Sequence, residues 1–159
     1  MEKEQLVIDL NTSLLLRGAG INAPAYFSYY AIGEDGDELR KTGDDLNVFA
    51  AAYTMGELME ILPGAIEMDD RTFISDGGTF VQHDTSENTY RYAELTMVKT
   101  AGGAFMTAYF YEKKVVGFRK TSDSEIDALT HVGNTPLKTL SQMALSLSEH
   151  GRIRPVFEK

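Results

Sequence analysis

The sequence predicts an α+β fold: an antiparallel sheet of about five strands with an N-terminal helix, a short middle helix and a C-terminal helix pair. Three observations predict it. They are leucines at helical spacing near the N-terminus, short β-branched and aromatic runs in the middle, and capping sequences before the last apolar stretches. Because no linker or internal repeat divides the 159 residues, we expect a single domain over 1–159.

The first helix is predicted over residues 2–17, where leucines recur at i, i+4 and i+8: Leu6, Leu10 and Leu14. Gly18 and Gly20 follow, where a helix end favours a residue with positive φ. Together with Ala23 they match the letters of a dinucleotide-binding fingerprint, which requires a strand before the glycines and a helix after them. Here the helix comes first and an aromatic strand, 25–32, follows, so we interpret the glycines as a helix cap.

The middle of the chain is predicted to contain one helix and most of the sheet. Polar residues 33–46 indicate a loop or a hairpin tip. Thr54 and Glu57 then have the spacing of a capping box, which predicts a short helix that ends at Pro63. Five strands are predicted after it: 71–75, 77–83, 89–100, 104–111 and 115–120.

Two further caps predict the C-terminal helix pair. Ser122 and Glu125 have the spacing of a second capping box, which opens a short helix to about His131. Thr135 then precedes Pro136, which is favoured at the first position of a helix. The apolar face of that last helix comprises Leu137, Leu140, Ala144 and Leu147. Such a pair also occurs in DNA-binding proteins, but this last helix offers one lysine and no arginine for phosphates or bases, so we exclude that role.

The pairing of the central strands decides which side chains share a face of the sheet. If Gly102-Gly103 is a two-residue turn, Val98 lies opposite Thr107 and both faces follow from that register. One face then carries Ala93, Leu95, Met97, Met106, Ala108 and Phe110, and the other carries Tyr92, Val98, Phe105, Tyr109 and Tyr111. A second two-residue turn at Lys113-Lys114 adds Val116 and Phe118 to the latter face.

Neither predicted face is polar, so each needs to be covered against water. The chain's own helices can cover both faces, or the aromatic face can contact another protein molecule. We favour the protein contact, with a homodimer as one form of it. The candidate interface comprises Tyr92, Phe105, Tyr109, Tyr111 and Phe118.

The charge of the chain is strongly acidic and unevenly placed. There are 24 Asp+Glu against 15 Lys+Arg, a net charge of −9, and the acidic excess lies in residues 31–70. Such a field repels phosphate backbones, so we expect no nucleic-acid partner, whereas the acidic 34–45 segment either contacts a basic protein or only adds solubility. Without a secretion signal or an apolar run of membrane-spanning length, the expected location is the cytoplasm, with no membrane partner.

No catalytic residue, metal ligand or cofactor is predicted. The chain has no cysteine, which excludes thiolate chemistry. His83 follows Ser75 and Asp76 along the chain, but no nucleophile-elbow sequence accompanies them, so we interpret His83 as a surface histidine at a strand end. His131 and His150 are expected near the C-terminal ends of helices, where a partly charged imidazole is favoured.

Residues 5–63, in the N-terminal half, contain a set of residues whose types and spacing match a known group of proteins. They are Arg17-x-x-Gly20-Ile21, Pro24, Phe27-x-Tyr29-Tyr30, Tyr53-Thr54, Glu57-Leu58 and Ile61-Leu62. In these positions the chain resembles a group of small uncharacterised proteins carried by bacterial phages and mobile elements. The resemblance implies no activity, cofactor or catalytic residue, and it favours a host- or phage-interaction protein over a metabolic enzyme.

We therefore expect a non-enzymatic protein-interaction module. It would bind a protein partner or itself through the aromatic sheet face or the acidic 34–45 segment. The alternative is a small metal-dependent hydrolase or nuclease that uses scattered carboxylates.

Overall fold

The structure, a computed structural model, describes residues 6–32, 36–43, 48–84, 91–120 and 125–153. The described residues form three helices and two antiparallel sheets, which confirms the predicted α+β class. The chain divides into two compact units. We call residues 1–62 with 135–159 the helical unit, and residues 63–134 the sheet unit. The single domain over 1–159 stays a prediction.

The helical unit contains, in chain order, α1 (Leu10–Gly18), β1 (Phe27–Ile32), β2 (Gly36–Lys41), β3 (Val48–Ala52), α2 (Met55–Ile61) and α3 (Pro136–Glu149). Strand β1 lies between β2 and β3 and is antiparallel to both. The 33–46 segment was predicted as a loop or a hairpin tip, but its residues 36–41 form strand β2, which makes a hairpin with β1. Residues 33–35 and 44–47 of that segment lie outside the described residues.

Helix α1 begins at Leu10, so residues 6–9 are not helical as predicted, and residues 2–5 of the predicted helix lie outside the described residues. Its N-cap is Asp9, whose carboxylate accepts the backbone N–H of Thr12 at 2.8 Å. Before this cap the chain is extended, and the N–H of Ile8 donates to the carbonyl of Tyr53 at 3.1 Å. The leucine spacing continues through this segment, but its backbone pairs with a distant part of the chain, and that pairing excludes a helix.

Of the predicted caps of the helical unit, Gly20, Thr54 and Thr135 are confirmed, whereas Gly18 is the last residue of α1 and has no positive φ. Gly20 follows α1 with a φ of 87°. Thr54 and Glu57 form the capping box of α2, in which the Glu57 carboxylate accepts the Thr54 N–H at 2.9 Å. Thr135 caps α3 by accepting the N–H of Lys138 at 3.2 Å. Helices α2 and α3 thus begin where these side chains satisfy backbone groups that the helix leaves unpaired.

The sheet unit contains β4 (Ala65–Glu67), β5 (Thr72–Asp76), β6 (Thr79–Gln82), β7 (Tyr92–Lys99), β8 (Phe105–Tyr111), β9 (Lys114–Arg119), β10 (Ile126–Ala128) and β11 (Thr130–Gly133). The strand order is β4-β7-β8-β9-β5-β6, with β10 beside β9 and β11 beside β8. The five predicted strands correspond to β5 to β9. The expected total of about five is wrong, because the two sheets have three and eight strands.

The predicted C-terminal helix pair is wrong, since α3 is a single helix and residues 126–133 form β10 and β11. Strands β8 and β9 pair only near their turn and then separate, and the chain turns back between them at Leu129. The N–H of Leu129 donates to Val116 at 2.8 Å, and its carbonyl accepts the N–H of Tyr109 at 3.1 Å. The segment is extended because it satisfies the backbone groups of both separating strands. The predicted cap at Ser122 lies outside the described residues.

The turn between β7 and β8 is one residue longer than predicted. Residues 101–103 form a three-residue loop, and the last of them, Gly103, has a φ of 90°. Val98 therefore lies opposite Met106 and not opposite Thr107. A slip of one residue exchanges the faces of one strand relative to the other, so the predicted sets of side chains on the two faces are wrong.

The turn between β8 and β9 is also displaced. It consists of Glu112-Lys113, flanked by the pair Tyr111 and Lys114, and not of Lys113-Lys114. Both central residues have positive φ, 49° for Glu112 and 66° for Lys113. This is the backbone of a two-residue hairpin turn that asparagine, aspartate and glycine favour, so the side chains present carry no signal for it.

Candidate functional site

One side of β7, β8 and β11 forms a continuous surface, which we call the outer face. Its residues are Tyr92, Glu94, Thr96, Val98, Met106, Ala108, Phe110, Thr130 and Val132. Val98, Met106 and Val132 lie opposite one another on the three strands and form an aliphatic row. Val98 is 41% exposed and Val132 is 58% exposed. Apolar side chains grouped at a surface indicate a site of contact with another molecule.

An open concavity of about 580 Å³ continues the outer face towards the β8–β9 turn. It is lined by Tyr92, Glu94, Thr96, Phe110, Tyr111, Glu112 and Lys113. The aromatic rings supply apolar area, and the glutamates and the lysine supply charges of both signs. Aromatic side chains are enriched at protein contact surfaces, and the rim of such a surface is polar.

The turn at one end of the concavity is conformationally strained. Glu112 and Lys113 both occupy the left-handed region of φ, which costs about 1 kcal/mol or more per residue outside glycine. Both residues line the concavity. Strained residues that the surrounding structure holds in place occur preferentially at functional sites, and this supports the choice of the outer face.

The concavity carries three charged side chains, two glutamates and one lysine. Over the described ranges, Glu94, Glu112 and Lys113 form no ion pair. The adjacent Lys114, by contrast, lies 3.9 Å from the carboxylate of Asp76. The three groups can therefore pair with charges on another molecule without breaking an existing contact.

The register separates the residues of the predicted interface: Tyr92, Phe105, Tyr109, Tyr111 and Phe118. Tyr92 lies on the outer face and is 52% exposed, whereas Phe105, Tyr109 and Tyr111 project from the opposite side. Tyr109 is fully buried, its hydroxyl donates to the carbonyl of Pro63 at 2.6 Å, and burial raises its pKa. Phe118 is also buried. These five side chains do not form one surface: Tyr92 belongs to the outer face, and Tyr111 also lines the concavity that continues it.

Sequence reasoning missed the aliphatic row, although one signal for it was present. In the stretch Ala101-Gly102-Gly103 the last glycine suits the left-handed position of a three-residue hairpin loop, which would have placed Val98 opposite Met106. Val132 had no such signal, because no strand was predicted there and the chain up to about His131 was predicted as a helix.

The interpretation of His83 as a surface residue is wrong. Its side chain is buried, and its ring lies 6.5 Å from that of Tyr111 in an edge-to-face arrangement. The backbone N–H of His83 donates to Thr72 at 2.7 Å. Ser75 lies three residues beyond Thr72 on β5, which is about 10 Å at the rise of a strand. Ser75 and His83 therefore do not form a serine–histidine pair.

The other two histidines differ in outcome. His131 lies on β11 and not at a helix end, so its expected position is wrong. Burial lowers the pKa of His131, and the nearby Asp127 partly opposes this. His150 is the C-cap of α3, which confirms its expected place at a helix C-terminus.

The acidic clusters form no recognisable ion site. Among the described residues, no three His, Cys, Asp or Glu side chains lie close enough to hold a metal ion. Of the acidic 34–45 segment, residues 36–43 are described, and there the Glu38 carboxylate pairs with Arg40 at 2.9 Å. No helix in the described part of the chain is long and apolar enough to cross a membrane.

Comparisons of the chain with protein-family models, with curated proteins and with solved structures gave no match. The resemblance to phage and mobile-element proteins therefore stays a prediction.

Proposed function

We propose that this chain is a non-enzymatic protein-interaction module that associates with a second copy of itself through the outer face. The observation that supports it is the aliphatic row of Val98, Met106 and Val132 at the surface of three adjacent strands. Covering exposed apolar surface contributes about 25 cal/mol per Å², so a partner that covers this row gains free energy.

The charges of the concavity favour a second copy over a uniformly basic partner. In a two-fold interface a surface meets its own image, so Lys113 of one copy can approach Glu94 or Glu112 of the other. A uniformly basic partner would place like charge beside Lys113. The net charge of −9 opposes association at long range, but salt at physiological strength screens it beyond about 8 Å.

The test is the mass of the protein in solution, measured by sedimentation equilibrium over a hundredfold range of concentration at physiological salt. We expect the wild type to approach twice the monomer mass of 17.6 kDa as its concentration rises. Val132→Glu places a charge in the aliphatic row, so this variant should remain monomeric while its thermal melting stays close to that of the wild type.

Val81→Glu is the matched control. Val81 is 52% exposed on β6, and it lies in register with Ile74 and Val116 on the other side of the sheet from the outer face. This variant should dimerise like the wild type. A wild type that stays monomeric throughout overturns the proposal, as does equal weakening by Val81→Glu and Val132→Glu. If the protein stays monomeric and binds a basic protein through the acidic 34–45 segment, the proposal of self-association is wrong.

A further inference from the structure

A second concavity lies in the helical unit, between α1 and β3, and we call it the α1 pocket. Its volume is about 260 Å³, below the range of pockets that hold drug-sized ligands, so it suits a smaller molecule. It is lined by Ser13, Arg17, Ile21, Asn22, Ala50, Ala51 and Tyr53. Polar groups of α1 and the following loop thus meet the alanines of a sheet edge.

The hydroxyl of Ser13 is the unexplained group of this pocket. Ser13 is 2% exposed, and its Oγ has no hydrogen-bond partner in the described structure. A serine within a helix usually donates to the carbonyl of the preceding turn. Ser141 in α3 does so, because its Oγ donates to the carbonyls of Leu137 and Lys138. An unmet buried hydroxyl destabilises a fold, so Ser13 points to a ligand atom that satisfies it.

The other residues define the chemistry of that ligand. Arg17 lies one turn beyond Ser13 on α1 and brings a guanidinium, whose planar fork matches a carboxylate. Asn22 adds an amide. The hydroxyl of Tyr53 is already used, since it donates to the carbonyl of Ala23 at 2.7 Å, so Tyr53 contributes its ring. One part of the pocket is polar with a single cation, and the remainder is apolar.

We infer that the α1 pocket binds a small aliphatic carboxylate. Arg17 and Ser13 hold the carboxylate oxygens, and the aliphatic tail lies against Ile21, Ala50 and the ring of Tyr53. A carboxylate fits better than a phosphate, because one arginine is the only cation among the lining residues and the chain as a whole carries a net charge of −9. This inference is independent of the outer face.

The probe is butyrate, titrated into ¹⁵N-labelled protein and followed by amide chemical shifts. We expect saturable shifts at Ser13, Ile21, Asn22 and Ala51, with a dissociation constant on the order of millimolar for so small a ligand. Butyramide has the same shape without the charge and should bind at least tenfold more weakly. Equal binding of the two compounds, saturation by inorganic phosphate but not by butyrate, or an absence of saturable shifts overturns the inference.

Ser13→Ala separates a ligand site from a structural role. The substitution removes an unmet hydroxyl, so the free protein should melt at the same or a higher temperature, while butyrate affinity falls about tenfold or more. Arg17→Met should remove the preference for butyrate over butyramide. Ser141→Ala, at the engaged serine of α3, should leave the butyrate dissociation constant unchanged in the folded protein. A Ser13→Ala protein that binds butyrate as the wild type does contradicts the assignment.

Discussion

The two units use buried tyrosines in the same way but expose their apolar side chains differently. In the helical unit the hydroxyl of Tyr29 donates to Ile8 at 2.8 Å and that of Tyr53 to Ala23 at 2.7 Å. In the sheet unit Tyr109 makes the equivalent bond to Pro63. Both units expose large apolar side chains, such as Leu15 in the helical unit, but in the sheet unit Val98 and Val132 share one face of neighbouring strands and belong to the aliphatic row.

The two units also differ in how far apart in the chain their stabilising partners lie. The helices begin at side chains that satisfy backbone groups three residues away, such as Thr54 with Glu57. The large sheet depends on pairings between distant strands, and these meet at Leu129, which bonds to both β8 and β9. A defect at that point should therefore disturb several strands at once, whereas a surface change in a helix stays local.

The largest expected effect comes from Leu129→Ala. Leu129 is fully buried at the point where β10 passes into β11, so its truncation should lower the free energy of unfolding by about 2–5 kcal/mol. Leu15→Ala in α1 is the counterpart, since Leu15 is 59% exposed and its truncation should change the free energy of unfolding by less than about 0.5 kcal/mol. Urea unfolding followed by circular dichroism measures both. If the two variants lost similar amounts of the free energy of unfolding, the expected difference between the strand junction at Leu129 and the surface of α1 would be contradicted.

Gly117→Ala tests how closely β10 approaches β9. An added Cβ would lie 2.7 Å from the carbonyl oxygen of Asp127 and 3.1 Å from the Cα of Ala128, so backbone has to move. We expect a loss of about 1–3 kcal/mol in the free energy of unfolding, the usual cost of overpacking. Gly102→Ala is the matched control, because nothing lies within 4 Å of its added Cβ. A Gly117→Ala protein as stable as Gly102→Ala would show that the two strands do not approach so closely.

The last expected effect concerns the tyrosines in alkali, and it accumulates with pH at about 1.4 kcal/mol per pH unit. Burial, with a lesser contribution from the charge of Glu57, raises the pKa of Tyr53 from 10.0 to about 12. Below pH 10 both the folded and the unfolded chain hold this proton, and its contribution to stability is complete. Between pH 10 and about 12 the unfolded chain ionises first, so stability falls as pH rises.

Tyr53→Phe should remove that part of the alkaline loss, measured as the pH dependence of the urea midpoint. Tyr109→Phe is its counterpart in the sheet unit, where burial also raises the tyrosine pKa. At neutral pH each variant should lose about 1 kcal/mol with its hydrogen bond. An alkaline slope that is unchanged in Tyr53→Phe would show that this hydroxyl ionises equally in the folded and unfolded chains.

Part of the candidate site was predictable from the sequence and part was not. The apolar character of β7 and β8 was visible, and Tyr92, one of the predicted interface residues, is exposed. The prediction that Phe105 and Tyr109 lie on the same face as Tyr92 is wrong, because the loop between β7 and β8 has three residues and not the predicted two. Since side chains alternate along a strand, one extra residue in a turn is enough to exchange the faces.

By itself the sequence determined the features that depend on neighbouring residues. These are the glycine cap after α1, the capping box of Thr54 and Glu57, the start of α3 at Thr135, and the approximate positions of β5 to β9. In each case the interacting groups lie within a few residues, so composition and spacing are sufficient to reveal them.

Only the tertiary structure decided which strands pair and which surfaces remain open. The extended form of residues 126–133 and the burial of His83 depend on backbone partners that are distant in the chain, whereas the late start of α1 combines the local cap at Asp9 with a distant backbone partner at Tyr53. A buried N–H or carbonyl must find a partner somewhere, and the nearest one in space overrides the local preference of the segment. The aliphatic row is the result of such pairings, because three strands had to meet in one register to align Val98, Met106 and Val132.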